Sequence, residues 1–247
     1  KITKGPKNYY IKDDKELENF IIKSSEKSKS SIKKNTKEFN KFMEKDAAKW
    51  FSIVGLVIVA IALGAGSSAA INMWFDEDID KTMERTKLRP IPLGIVSKNE
   101  ALVVGILTGT ISLILMQWFS NSLATSLLLF TILFYVFIYT FWLKRTTSLN
   151  IVIGGAAGAL PPVIGWTIAT GGISLEPIIL FLIIFIWTPS HFWALSLYKT
   201  EDYKNAKIPM LPITSGINVT KLNIFIYSVL LFPVILAPFF LNYFGFF

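Results

Sequence analysis

Residues 51–71 read F-S-I-V-G-L-V-I-V-A-I-A-L-G-A-G-S-S-A-A-I, and the chain continues directly into Asn72-Met73-Trp74-Phe75-Asp76-Glu77-Asp78-Ile79-Asp80. The first part carries no charge and has the length, about 20 residues, that a helix needs to cross the hydrocarbon core of a bilayer. Lipid offers backbone groups no partners and the run lacks the alternation of a barrel strand, so it predicts a helix. The second part places an amide and carboxylates at four-residue intervals where polar groups are least expected. On a continuing helix Asn72, Asp76 and Asp80 share one face, each about 6 Å along the axis from the last. Two readings fit. One is a solvated helix whose acids pair with Lys81, Arg85 and Lys87; the other is a hard-oxygen site for a divalent cation, shared with an anionic substrate such as a diphosphate.

Outward from this stretch, five more apolar segments are long enough to span, near 101–119, 123–143, 149–169, 176–197 and 223–245. With 247 residues, 52% of them hydrophobic, twenty phenylalanines and a mean hydropathy of +0.50, the expected fold is all-α, a polytopic membrane helix bundle. Two regions are expected: a basic, polar segment over 1–49, disordered or lying on the membrane surface, and a transmembrane domain over 50–247. Residues 1–49 show neither a secretory signal nor the arginine-rich, acid-poor make-up of a transit sequence. Their lysines, without interleaved aromatics, point to anionic lipid rather than nucleic acid. The absence of cysteine excludes disulfides, thiolate metal sites and a cysteine nucleophile, and the single histidine, His191, excludes a multi-histidine metal centre.

Loops 72–100, 144–148 and 198–222 share one side and hold Lys81, Arg85, Lys87, Arg89, Lys98, Lys144, Arg145, Lys199, Lys204, Lys207 and Lys221, whereas 120–122 and 170–175 have no lysine or arginine. The positive-inside rule puts the charged loops in the bacterial cytoplasm, with the matrix of a mitochondrial inner membrane as the alternative. The same count would leave basic residues 1–49 outside, so a further span before residue 51, beyond this sequence, is expected.

A second polar island runs Trp187-Thr188-Pro189-Ser190-His191-Phe192-Trp193, followed by Tyr198, Asp202, Tyr203, Lys204, Lys207 and Pro209-Met210-Leu211-Pro212. Pro189 should break or kink its helix and aim His191. The imidazole then either bonds within the bundle, between interfacial Trp187 and Trp193, or contacts a porphyrin or moves a proton. A third island, Lys144-Arg145-Thr146-Thr147-Ser148-Leu149-Asn150, leads into Gly154-Gly155-Ala156-Ala157-Gly158-Ala159-Leu160-Pro161-Pro162. Lys144 and Arg145 are ordinary positive-inside residues or a phosphate clamp. The glycines and alanines mean close helix packing or a widened cavity, and the proline pair a break near mid-membrane.

In combination, these motifs resemble the intramembrane prenyltransferases of the UbiA superfamily, and its haem-directed branch in particular: N-M-W-F-D-E-D-I-D-x-x-M-x-R-T-x-x-R-P at 72–90, L-K-R-x-T-x-x-N at 143–150, W-T-P-x-H-F-W-A-L at 187–195 and D-Y-K-x-A-x-I-P-M-L-P at 202–212. The resemblance implies a UbiA-type bundle, with six of roughly nine typical spans here, and transfer of a farnesyl group from farnesyl diphosphate to haem B, giving haem O. It implies Mg2+ held by Asn72, Asp76, Asp80 and Asp202. Asp76, Asp80, Asp202 and Tyr198 would be catalytic, Tyr198 standing where most members have an aspartate. Arg85, Arg89, Lys144 and Arg145, with Lys204 and Lys207, would take phosphate charge, while Asn150, His191, Trp187 and Trp193 would wall the haem or prenyl group. Partners implied are farnesyl diphosphate, haem B, the lipid bilayer, and haem A synthase or oxidase assembly proteins, with no nucleic acid. The alternatives are a UbiA-type enzyme acting on an aromatic or quinone precursor, and a non-catalytic haem-binding or assembly relative.

Overall fold

The structure, a computed structural model, describes Glu26, residues 51–241 and Tyr243, so the basic segment 1–49 lies outside the described residues apart from Glu26. Regular structure is helical, with no strand among the described residues. The chain divides between Val54 and Gly55, and the site lies in the unit that begins at Gly55.

Among the described residues six helical segments are long and apolar enough to cross a membrane: α1 (Phe51–Phe75), α3 (Lys98–Phe119), α4 (Ser122–Thr146), the pair α5 (Asn150–Ala159) and α6 (Pro161–Thr170), α7 (Leu175–Tyr198) and α10 (Ile217–Phe240). Three short helices join them on one side, α2 (Glu77–Thr82), α8 (Thr200–Asn205) and α9 (Leu211–Thr214). The expected all-α bundle is therefore what the chain forms. Its last span begins earlier than hydropathy suggests, because Gly216, at φ 84°, turns the chain directly into a helix whose first residues are still polar. Leu160 alone separates α5 from α6, where Pro161 and Pro162 cannot donate to the preceding turn. At Pro189, by contrast, α7 runs on unbroken.

Side-chain bonds start the helices that need starting. Ser97 and Glu100 form a capping box on α3, and the Asn121 side chain accepts from Ala124 N at 2.9 Å. The Asn121 amide also donates to Thr167 O at 2.8 Å, fastening the uncharged 120–122 turn to the end of α6.

Small residues let α1 and α3 meet at backbone distance. Ser67 Oγ donates to Gly105 O at 2.6 Å, and Ser112 Oγ donates to Ala60 O at 2.6 Å. A Cβ on Gly109 would stand 2.6 Å from Ser67 Oγ, and one on Gly105 2.7 Å from Ile71 Cγ1. Where the apolar driving force of water is absent, such close packing and interhelical bonding hold helices together. The outer faces carry large apolar side chains such as Phe225, Phe232 and Phe240, each at least 66% exposed, as a lipid-facing surface requires.

Gly109→Leu is expected to lower stability by about 1–3 kcal/mol through overpacking against Ser67. Gly66→Ala, whose Cβ meets nothing within 4 Å, should be neutral or stabilising. Melting temperatures of the two variants in one detergent check the contrast.

Candidate active site

The backbone of α1 continues into α2 almost without interruption: Asp76 N bonds to Asn72 O at 2.9 Å and Asp80 N to Asp76 O at 2.8 Å. Asn72, Asp76 and Asp80 thus stand on one face, 7%, 0% and 1% exposed. Repulsion between carboxylates at this spacing is offset by a separate cation for each. Asp76 accepts from Lys144 Nζ and Asn72 Nδ2 (2.8 Å) on Oδ2 and from Arg145 (3.1 Å) on Oδ1. Asp80 accepts from Arg89 at 2.8 Å on Oδ2.

Lys144 and Thr140 reach this face because the middle of α4, Phe134–Leu143, is wound as a π-helix. Wider winding is rare and concentrates at functional sites. Here it puts Tyr135, Tyr139, Thr140 and Lys144 on the side toward Asn72, whose Nδ2 also donates to Thr140 Oγ1 at 3.2 Å.

After α2 the chain folds into successive turns, with Thr86 N on Met83 O (3.0 Å) and Arg89 N on Thr86 O (2.9 Å). Met83 anchors them in an apolar cluster with Ile79, Ile151, Ile208 and Met210. From α8, Asp202 accepts the backbone N–H groups of Glu84 (2.8 Å) and Arg85 (3.4 Å). Arg89 is then committed to Asp80. The Arg85 guanidinium has no hydrogen bond or ion pair among the described residues, yet it lines the cavity.

That cavity encloses about 430 Å³. Its polar lining is Asn72, Asp80, Arg85, Arg89, Lys144 and Asn150, and the rest includes Ile184, Trp187, Phe192, the glycines of α5, and Tyr135, Tyr139 and Tyr203. Three cations against one lining carboxylate suit a polyanion, and the apolar remainder suits a hydrocarbon attached to it. Asn72 Oδ1 and Asp80 Oδ1 accept no hydrogen bond among the described residues. These are hard oxygens of the kind Mg2+ takes when phosphate and water complete its shell. Among the described residues no three His, Cys, Asp or Glu side chains stand together as a metal site. The two oxygens would suit a hard divalent cation whose remaining ligands come from phosphate and water.

Of the residues singled out in the sequence, Asn72, Asp80, Arg85, Arg89, Lys144, Asn150 and Trp187 meet at this cavity. Eight others do not line it. Asp76 is wholly buried and faces Lys144 and Arg145. Arg145 is turned away from the cavity: it forks onto Asp78 with two 2.8 Å bonds, donates to Phe75 O at 3.1 Å and stacks on the Phe75 ring at 4.7 Å. Asp202 is not gathered with Asp76 and Asp80 into one metal site, because its oxygens face the Glu84 and Arg85 amides. Tyr198 is 86% exposed. His191 is also exposed, stacked on Trp187 at 4.5 Å. Trp193 is sealed in the bundle, edge-on to Tyr227, and Lys204 and Lys207 point to the exterior.

Sequence reasoning missed Tyr135, Tyr139 and Tyr203 as lining residues, and Asp78 as the partner of Arg145. Two phenols four residues apart inside an apolar span were the available signal for the first pair. Hydrogen bonding from Arg145 holds the Asp78 carboxyl below its ordinary value.

The chain belongs to the UbiA prenyltransferase family, whose sequence profile matches residues 42–247. It is 60% identical over 190 residues to the Protoheme IX farnesyltransferase of Pelagibacter ubique (strain HTCC1062), covering 77% of this chain and 63% of that protein. It is 57% identical over 190 residues to the protein of the same name from Rickettsia massiliae (strain Mtu5), covering 77% and 62%. With the namesake from Ehrlichia ruminantium (strain Gardel) it shares 57% over 180 residues, 73% and 61% of the two chains. The chain thus spans less than two thirds of the length of these relatives. No solved structure matches it.

Asp202→Ala leaves two N–H groups without their acceptor and should cost about 1–3 kcal/mol. Asp202→Asn keeps one acceptor oxygen and should cost clearly less; equal losses in denaturation would remove the assignment. For Asp78, the lowered value in the folded state means its contribution is present above the ordinary carboxylate range and is lost as pH falls through the folded value. The difference in melting temperature between the parent chain and Asp78→Asn should accordingly shrink as pH falls below the ordinary carboxylate range.

Proposed function

We propose that this chain transfers the farnesyl group of farnesyl diphosphate to a vinyl group of haem B, giving haem O. The observation that carries this reading is the cavity itself: Arg85, without an ion pair among the described residues, lines it with Arg89 and Lys144 beside aromatic and glycine surface, among helices long and apolar enough to cross a membrane. Identity of 57–60% to proteins named Protoheme IX farnesyltransferase supports the choice of acceptor.

In this reading Arg85, Arg89 and Lys144 bind the phosphate oxygens and stabilise the charge that grows on them as the allylic C–O bond breaks. Asn72 Oδ1 and Asp80 Oδ1 hold Mg2+, which when bound supplies further positive charge to the departing diphosphate. Asp76 keeps Lys144 and Arg145 in place from beneath. The faces of Tyr135 and Tyr139 stand beside the allylic cation. The apolar walls keep water away until a vinyl carbon has formed the new C–C bond; water then adds to the adjacent carbon, loses a proton and leaves a hydroxyethylfarnesyl group. Tyr198, Asp202 and His191 have no part at the reacting atoms. The product would pass to an enzyme such as haem A synthase or to oxidase assembly. The basic loops that form the site lie in the cytoplasm of a bacterial cell.

Membranes containing this chain, incubated with haem B, farnesyl diphosphate and Mg2+, should yield haem O by mass analysis of extracted haems. Arg85→Ala should lower the rate at least ~100-fold at unchanged protein level. Absence of haem O from folded protein, when a full-length relative makes it, overturns the reading. Orientation has its own check, because the chain has no cysteine. A cysteine at Gly172 should react with an impermeant maleimide in intact spheroplasts, and one at Lys87 only after permeabilisation.

A further inference from the structure

Three glycines of α5 line the cavity, Gly154, Gly155 and Gly158, and two of them are explained by helix packing. A Cβ on Gly154 would fall 2.2 Å from Tyr139 Cδ2, and one on Gly155 2.9 Å from Thr188 Cγ2. Gly158 differs: a Cβ there meets nothing within 4 Å. Its backbone is ordinary α-helix, without the positive φ found at Gly94, Gly171 and Gly216. Neither packing nor conformation calls for glycine at this position, and glycine inside a helix is less favourable than alanine. Unlike Gly66, which shares these properties, the exposed Gly158 lines the cavity, so a side chain there would take space from it.

The position of that space can be measured along the helix. Asn150 lines the cavity beside Ile151, which packs with Ile79 and Met83, close in the chain to Asp80 and Arg85, and α5 is uninterrupted from Asn150 to Ala159. Eight residues on, Gly158 lies about 12 Å farther along the axis. A stretched isoprene unit, four carbon–carbon bonds of roughly 1.5 Å in zigzag, measures about 5 Å. Two units therefore end about 10 Å from the diphosphate, and a third covers about 10–15 Å. The open face of Gly158 falls beside the third unit.

We infer that Gly158 sets the prenyl length accepted by the cavity: its missing side chain makes room for the third isoprene unit of a farnesyl group. This rests on the assignment of the polar lining to a diphosphate, and it specifies the donor as a three-unit chain. A side chain at 158 narrows the cavity about 12 Å along α5 from Asn150, away from Asp80, Arg85 and Lys144. It therefore discriminates by length and leaves recognition of the diphosphate alone.

The test is binding of geranyl and farnesyl diphosphate, each with Mg2+, to the full chain in nanodiscs, with melting temperature without ligand as the second readout. Gly158→Leu should weaken farnesyl diphosphate at least ~10-fold while geranyl diphosphate stays within ~3-fold, one buried aliphatic group being the scale of the clash. Gly158→Ala should give a smaller loss for farnesyl only, with a melting temperature equal to or above that of the parent chain. Equal losses for both donors, or unchanged farnesyl binding in the leucine variant, overturn the inference. So does a lower melting temperature in the alanine variant, since packing would then account for the glycine. If Gly158→Leu does not fold, the alanine and valine variants give the same length comparison. A parent chain that binds neither donor refutes the diphosphate assignment instead, an outcome distinct from all of these.

Discussion

Asp76 has no exposed surface, and burying a carboxylate is costly unless donors surround it. Three side chains do so: Asn72 from the preceding turn, and Lys144 and Arg145 from the end of α4. Removing one partner from a buried pair of this kind typically costs about 3–5 kcal/mol, so the end of α4 and the junction of α1 with α2 cannot drift apart. The remaining geometry follows from this clasp. Lys144 is delivered to the cavity rim, Arg145 is used up on Asp76 and Asp78, and Asn72 is held against Thr140. The π-helical winding of Phe134–Leu143 brings Tyr135 and Tyr139 to the same side.

The cations around the site divide into those already satisfied and one that is not. Arg145 is engaged through both terminal nitrogens with Asp76, Asp78 and the Phe75 carbonyl, while Arg89 shares Asp80 and Lys144 shares Asp76 at the cavity edge. Among the described residues Arg85 alone of these four has no carboxylate partner, although its backbone is pinned by Asp202 and its turn is anchored by Met83. A fixed backbone with an uncommitted guanidinium is what an anion-binding position needs, since little reorganisation is left for the moment of binding. Asp202 then serves the site through the backbone of the arginine loop.

Away from the charges, the cavity is shaped by what the helices leave out. Tyr139 lies on Gly154, and Thr188 on Gly155, so α4 and α7 close on α5 at those levels. Beyond them Gly158 and the break at Leu160 leave the space open. The same economy of side chains joins α1 to α3 through Ser67, Gly105, Gly109 and Ser112. Close helix contact and an internal cavity are thus two uses of one residue type, distinguished only by whether a neighbour fills the gap.

The sequence alone determined the helices, because lipid leaves the backbone no alternative and every apolar run of spanning length had to become one. It also determined the common face of Asn72, Asp76 and Asp80, since a spacing of four is a local property of a helix. Motif order carried the family as well. Which polar residues meet at a cavity was decided only in three dimensions. Lys144 and Arg145 are neighbours in sequence with the same charge, yet one faces the cavity and the other is drawn outward by Asp78, a pairing across 67 positions. Asp202 carries the charge of a metal ligand, but two backbone amides 117 and 118 positions away claim its oxygens. Tyr198 and His191 lie in the most suggestive motif, yet both are exposed and neither lines the cavity, although His191 stacks on Trp187, which does. Local spacing fixes which face of a helix a residue occupies; what that face meets depends on how the helices pack.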